Sequence, residues 1–271
     1  MHDLSGKVAI VAGASRGIGR TYALALAEAG ARVVALARTV DGDPSKIGSL
    51  AEVVATARAA GGDLVASACD IADEASMVRA VRETVASHGG VDILLNNAIW
   101  PIRGFDALAV TLEEWAVTFK LNVGGAYVFM REVIPHMIAR GGGSIINMTT
   151  ASAQTSQPGT TNHGYPAYAV SKAGLERLTT YFAAEFADRN VAVNAISPGN
   201  ASRYMRGGRE LDRRFWGEPI VHLAWQRPQG GISGQVLHTY EFARSWGPKP
   251  AAPPQWDEQI TAMLRDFGIA G

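Results

Sequence analysis

Ala12-Gly13-Ala14-Ser15-Arg16-Gly17-Ile18-Gly19 is the stretch on which the fold turns. Before it, Lys7 to Ala12 is a β-branched run of strand length; after it, Ile18 to Ala29 carries a helical pattern that Gly30 stops. Three glycines between a strand and a helix allow a sharp turn and a close approach of the backbone to a bound group, whose negative charge the free N–H groups of the helix N-terminus would meet. A ligand-free strand-to-helix turn has the same needs, and the spacing is not G-x-G-x-x-G.

The alternation continues outward. Arg32 to Ala37 reads as a second strand, Ser49 to Ala60 as a helix, Leu64 to Ala68 as a third strand, and Met77, Val78, Val81 and Val85 as one face of a helix ending at Gly89-Gly90. Val91 to Leu95 is the fourth strand. Thr111 with Glu114 makes a capping box for a helix running to about Arg140, with a break at Gly124-Gly125. Ser144 to Thr149 is the fifth strand, Pro166 opens a helix to about Arg189, Val191 to Ile196 is the sixth strand and Gly234 to His238 the seventh. Strands alternating with helices predict βαβ units: an α/β, single-domain, doubly wound parallel sheet of about seven strands flanked by helices. The expected boundaries are 1–247 for this domain and 248–271 for a C-terminal extension. In that extension Pro248, Pro250, Pro253 and Pro254 are followed by Trp256, Ile260, Met263, Leu264 and Phe267 at helical spacing.

Composition narrows the partners. The 271 residues are 47% apolar, enough for a sizeable core, and 25 Lys+Arg against 25 Asp+Glu leave no electrostatic footprint for nucleic acid or an anionic membrane. Cys69 stands alone, and the six histidines show no pair at ligand spacing on a helix, so neither a disulfide nor a metal site is expected. No apolar run approaches the roughly 20 residues that span a bilayer. A cytoplasmic protein acting on small molecules is expected.

Tyr168-Ala169-Val170-Ser171-Lys172 carries the chemistry. Residues four apart share a helix face, so a phenol and an ammonium are brought together, and a fixed cation stabilises a phenolate. A lone Tyr-x-x-x-Lys on a helix surface is common. Taken with the glycine loop, Asn96-Asn97-Ala98 after the fourth strand, Asn122, and Pro198-Gly199 after the sixth, it resembles the short-chain dehydrogenase/reductase family over about residues 5 to 240.

That resemblance implies a Rossmann-type sheet, a nicotinamide cofactor across its C-terminal edge and hydride exchange with a carbonyl or alcohol carbon. Tyr168 would be the acid/base. Lys172 would hold the nicotinamide ribose and depress the Tyr168 pKa, and Asn122 would order a water behind Lys172. Gly13, Ser15, Arg16, Gly17, Ile18 and Gly19 would cradle the cofactor. Asp70 and Ile71 would contact the adenine, although Asp70 also reads as a helix N-cap. Asn97 and Ala98 would pass behind the adenosine ribose, and Pro198 and Gly199 would face the nicotinamide amide. Thr150 stands where the family usually has serine, with Ser152 the alternative hydroxyl.

Departures lie around the substrate. Ala12 replaces a common threonine, Ile99 a glycine, and Thr239-Tyr240-Glu241-Phe242 follows the last strand. The gap from Thr150 to Tyr168 is long and contains His163, read as a loop-surface histidine with a place at the substrate rim as the alternative. Trp100, Phe215, Trp216 and Trp225 lie near the family's substrate wall and read equally as core. Between 199 and 217, Arg203, Arg206, Arg209, Arg213 and Arg214 mark either a basic lid for an anionic substrate or a solvated helix face. At the end of the second strand Ala37-Arg38 takes the place of an acid and, with Arg16, favours NADP over NAD. The resemblance also implies a homo-oligomer, tetramer or dimer, packed through the helices carrying Asn122 and Tyr168, where Val123, Val128 and Phe129 on one and Leu175, Leu178, Phe182 and Phe186 on the other are apolar, with the tail either clamping a neighbour or packing on its own subunit. The competing readings are an NADP-binding sensor or scaffold without turnover, and a dehalogenase or lyase on the same fold.

Overall fold

The chain alternates β1 (Val8–Ala12), α1 (Gly17–Glu28), β2 (Arg32–Ala37), α2 (Leu50–Ala59), β3 (Leu64–Ala68), α3 (Glu74–His88), β4 (Ile93–Asn96), α4 (Leu112–Phe119), α5 (Gly125–Ala139), β5 (Gly143–Met148), α6 (Pro166–Glu185), β6 (Val191–Ser197), α7 (Arg213–Trp225) and β7 (Val236–His238). The computed structural model describes residues 2–42, 48–100, 107–153, 166–199, 201, 211 and 213–239. All seven strands are parallel, in the order β3-β2-β1-β4-β5-β6-β7. The order reverses direction between β1 and β4, and in such sheets a crevice opens there, outside the carboxyl ends of the strands.

Successive strand residues point to opposite faces, and both faces are covered. Ala9, Val11, Val33, Ala35, Ile93 and Leu95 pack under α1, α2 and α7. Ile10, Ala12, Val34, Leu36, Leu94 and Ile145 pack under α3, α5 and α6. The strands are therefore nearly continuous apolar runs. Among their polar members, Asn96, Asn147 and Asn194 are buried and bonded.

Helix α7 went unrecognised because Gly217 and Pro219 interrupt it and its first turn is basic. The glycine has a packing cause: a Cβ there would lie 2.4 Å from the Ala25 Cβ of α1. Trp216, which from the sequence reads equally as substrate wall or core, is core, 5% exposed, with its indole N–H donating to the Pro198 carbonyl at 3.3 Å. Trp225 is exposed and stacks on His2 at the start of the chain, away from the strand C-termini. Arg213 pairs with Glu28 on α1 and so is not a free lid cation.

The break expected at Gly124-Gly125 is a π-helical turn, Lys120–Gly124, centred on Asn122. The surplus apolar residues are also reassigned: Val128, Phe129, Leu175 and Phe182 are buried within the subunit, and the exposed ones on α5 and α6 are Tyr127, Val170 and Tyr181. His163 and the segment around it, Arg203 to Arg209, and the tail from 248 lie outside the described residues. Among the described residues no helix is long and apolar enough to cross a membrane.

Candidate active site

Gly13 and Gly17 have φ of +78° and +58°, a backbone that L side chains rarely adopt. A Cβ on Gly13 would lie 2.8 Å from the Ala98 Cα; one on Gly19 would lie 2.1 Å from the Gly13 carbonyl oxygen and 2.4 Å from Asn97 Nδ2. The loop is pinned from both sides. Gly13 and Ala14 N–H groups donate to the Leu36 carbonyl of β2, and Asn97 Nδ2 donates to the Gly13 carbonyl at 3.0 Å. These bonds serve where Ala12 offers no hydroxyl.

Helix α1 then begins without a cap. Arg16, extended at φ −157°, makes no side-chain bond to the first turn, and that turn holds no acidic residue. By contrast α2, α3 and α4 are capped by Ser49, Asp73 and Thr111 and carry acids in their first turns. A bare positive helix end behind a cradle that any Cβ would fill suits a pyrophosphate. Arg16 and Arg38 are exposed on the flanking loops, and Gly48 returns the β2–α2 loop against Arg16 so closely that a Cβ would sit 2.6 Å from the Arg16 Cβ. Asp70 does not cap α3: its Oδ1 accepts from Ala72 N–H, its N–H donates to Ser76 Oγ, and Asp73 is the cap. Ile71 lines a small cavity with Ala12, Ala98, Asn122 and Lys172.

Across the crevice, α6 presents Tyr168 and Lys172. Lys172 is 1% exposed, its Nζ lies 5.9 Å from the centre of the Tyr168 ring and donates to the Met148 carbonyl at 2.7 Å. That carbonyl is available because the β4–β5 pairing ends one residue earlier, at Asn96 and Asn147. Burial pushes the Tyr168 phenol up to about 12 and the Lys172 ammonium down to about 7. The expected lowering of Tyr168 is thus reversed here, since desolvation penalises both charged forms.

Asn122 bridges the site. Its Oδ1 accepts from Trp100 N–H at 3.0 Å and its Nδ2 donates to Ser171 Oγ at 3.1 Å, while Ser171 donates to the Tyr168 carbonyl at 2.7 Å. The side chain ties the β4–α4 loop to the turn of α6 that carries Tyr168. Thr150 and Ser152 stand together at the end of β5, their hydroxyl oxygens 3.3 Å apart, with Ser152 N–H donating to Thr150 Oγ1 at 3.4 Å. Gly199, at φ +63°, follows Pro198 at the end of β6, its N–H bonded to Ser197 Oγ.

Several supporting residues escaped the sequence reading. Asn147 accepts from Asn96 at 2.8 Å and donates to Thr179 on α6 at 2.9 Å, and Thr149 Oγ1 donates to Glu176 Oε1 at 2.5 Å. The signal was present. Tyr168, Lys172, Glu176 and Thr179 recur at i, i+4, i+8 and i+11, a polar stripe on the face of α6 that turns toward the sheet.

A doubly wound sheet with this cradle and this buried Tyr–Lys pair defines an NAD(P)-dependent oxidoreductase. Comparison with known proteins narrows it. The short chain dehydrogenase family pattern matches residues 7–213. D-threitol dehydrogenase of Mycolicibacterium smegmatis is 33% identical over 243 residues, 89% of this chain and 82% of that protein. A metagenomic short-chain oxidoreductase solved in complex with NADP superposes with a TM-score of 0.72 at 32% identity, covering 87% of this chain and 97% of that one. A 7α-hydroxysteroid dehydrogenase complexed with NADH and 7-oxo glycochenodeoxycholic acid gives 0.73 at 27%, covering 87% and 93%. The chain belongs to the short-chain dehydrogenase/reductase family.

Proposed function

We propose that the protein interconverts a ketone and a secondary alcohol with NADP(H). The observation that carries this is the Tyr168–Lys172 pair at the strand edge, a half-buried phenol over a fully buried amine. The dihydronicotinamide, when bound, supplies the hydride. Gly13, Ser15, Arg16, Gly17, Ile18 and Gly19 hold the pyrophosphate side, Asp70, Ile71, Asn97 and Ala98 border the adenosine, and Pro198 and Gly199 border the nicotinamide. Arg16 and Arg38 bind a 2′-phosphate, which no acid at the end of β2 repels.

Tyr168 donates its phenolic proton to the carbonyl oxygen. A phenol held up to about 12 stays protonated at neutral pH, which suits an acid; alcohol oxidation needs the phenolate and so depends on the Lys172 charge. Thr150 donates its hydroxyl to the developing oxyanion, turning to it a proton that in the ligand-free site goes to Ser152 Oγ, while Ser152 N–H fills an acceptor site on the Thr150 oxygen. Asn122 keeps α6 in register with the β4–α4 loop, where Trp100 borders the substrate, with Ser152 bordering it from the end of β5. The exposed Tyr127, Val170 and Tyr181 favour a homo-oligomer built on α5 and α6.

The test is nicotinamide absorbance with NADPH and NADH against a panel of ketones. Oxidation of cofactor that depends on a ketone, faster with NADPH, supports the reading. Tight NADPH binding with no turnover on any ketone or alcohol replaces it with a cofactor-binding sensor.

A further inference from the structure

The end of β5 holds two side chains of α6 through adjacent residues. The Met148 carbonyl accepts from Lys172 Nζ at 2.7 Å, and the Thr149 hydroxyl donates to Glu176 Oε1 at 2.5 Å. An O–H···O contact of that length is typical of an ionised carboxylate acceptor. Lys172 and Glu176 are one helical turn apart, so strand and helix together fix a buried cation and a half-buried anion in one short stretch.

We propose that Glu176 is a positioning residue for this site: anchored by Thr149, it supplies the counter-charge that keeps the buried Lys172 amine in its ammonium form. The proposal rests on the roles given above to Tyr168 and Lys172. The need for such a group is physical. Lys172 has lost nearly all contact with water, and a neutral amine neither attracts ribose hydroxyl oxygens with the same strength nor stabilises a phenolate. Desolvation lowers its pKa to about 7 and the Glu176 charge opposes that fall.

Among the described residues, the groups facing Lys172 leave that task to Glu176. From β5 it meets the Met148 carbonyl, and the adjoining cavity is bordered by Asn96 of β4, Asn122 and Leu121 of the π turn, Phe129 of α5 and Leu175 of α6, none of which titrates. On α6 itself the titrating neighbours are Tyr168, neutral at these pH values, and Glu176. The sign follows. Removing the Glu176 charge makes Lys172 lose its proton at lower pH, so any rate that needs the ammonium falls earlier as pH rises.

The decisive measurement is the titration of Lys172 itself, by NMR of protein labelled at lysine Cε, where only Lys7, Lys46, Lys120, Lys172 and Lys249 contribute. Parent, Glu176→Gln, Glu176→Asp and Thr149→Val are compared, with the pH profile of ketone reduction and the cofactor KM recorded for each. In Glu176→Gln the Lys172 midpoint is expected to fall by about half a pH unit or more, a change of about threefold in the ratio of ammonium to amine. The high-pH limb of kcat moves with it. Glu176→Asp, which restores the charge, recovers most of the parent behaviour, and Thr149→Val shifts the midpoint in the same direction by less. A Lys172 midpoint unchanged in Glu176→Gln overturns the proposal; should that variant not fold, an unchanged midpoint in Thr149→Val does so. If the parent reduces no carbonyl, the functional reading fails and the NMR titration still decides the coupling.

Discussion

The glycine cradle and helix α6 face each other across one sheet edge and are built by opposite means. The cradle consists of what is missing: Gly13 and Gly19 leave space that a single Cβ would fill, and α1 begins with no side chain over its amides. Helix α6 works through what is present: Lys172 is held by the Met148 carbonyl, the Tyr168 backbone by Ser171 and Asn122, and the rest of that helix face by Thr149–Glu176 and Asn147–Thr179 bonds. Damage to the two regions therefore reads out differently. Substitution in the cradle acts on the backbone and on affinity, whereas substitution on α6 acts on turnover and its pH dependence.

The largest effect breaks the comparison most directly. Tyr168→Phe removes the general acid and should lower kcat by about 100-fold or more, with melting temperature and NADPH affinity near those of the parent. Comparable turnover in that variant removes Tyr168 from the chemistry. Gly19→Ala should do the reverse. Its methyl meets backbone and the Asn97 amide, and overpacking of that kind costs about 1–3 kcal/mol, so cofactor affinity should drop by about 10- to 100-fold with a lower melting temperature. Residual bound enzyme should turn over at nearly the parent kcat. Next comes Arg38→Asp, which exchanges a cation for an acid beside the ribose. NADPH should bind about tenfold or more weakly and NADH better, in line with the loss of a charge-assisted bond. A parent already faster with NADH at equal affinity defeats the assignment of Arg16 and Arg38.

The two regions also differ in how far the sequence disclosed them. A cradle made of glycine is visible because three glycines between a strand and a helix mark a sharp turn and a close backbone approach, and the turn before α1 stands where it was expected. Tyr168 and Lys172 are visible through their spacing. Their supports are not, since Glu176 and Thr179 look like ordinary residues of a helix until the end of β5 is placed beside them. Asn147 likewise reads as a polar interruption of a strand, although it links β4 to α6. β-branched runs alternating with helical patterns disclosed the sheet, but they could not reveal the direction in which burial moves the Tyr168 phenol, because that depends on how deeply α6 is packed. Helix α7 was missed for a related reason: Gly217 breaks a propensity rule so that α7 can touch α1 at Ala25, and only the contact explains the residue.

The smallest expected effect lies away from both regions and serves as their control. His222 on α7 sits 2.8 Å, ring nitrogen to ring nitrogen, from His2, and Gln226 closes its other side. The orientation of Gln226 follows from its Oε1 accepting the Ile232 N–H, so its amide nitrogen faces His222 Nε2 as a donor. His222 is then satisfied as a neutral ring, with Nδ1–H donating to His2, and a second ring proton would point at a donor. Burial, reinforced by the charge on His2, lowers its pKa to about 4. Because the folded value lies below the ordinary 6.5, the unfolded chain binds a proton between those values that the folded chain refuses. Stability from this group is therefore complete above pH 6.5 and is lost as pH falls toward 4. Thermal melts across that window should show the parent losing more of its melting temperature than His222→Gln, while kcat measured at neutral pH is the same in both. Identical melting profiles would remove His222 from the acid sensitivity. A changed neutral-pH kcat in His222→Gln would show instead that α7 reaches the strand edge, where Trp216 supports the carbonyl of Pro198.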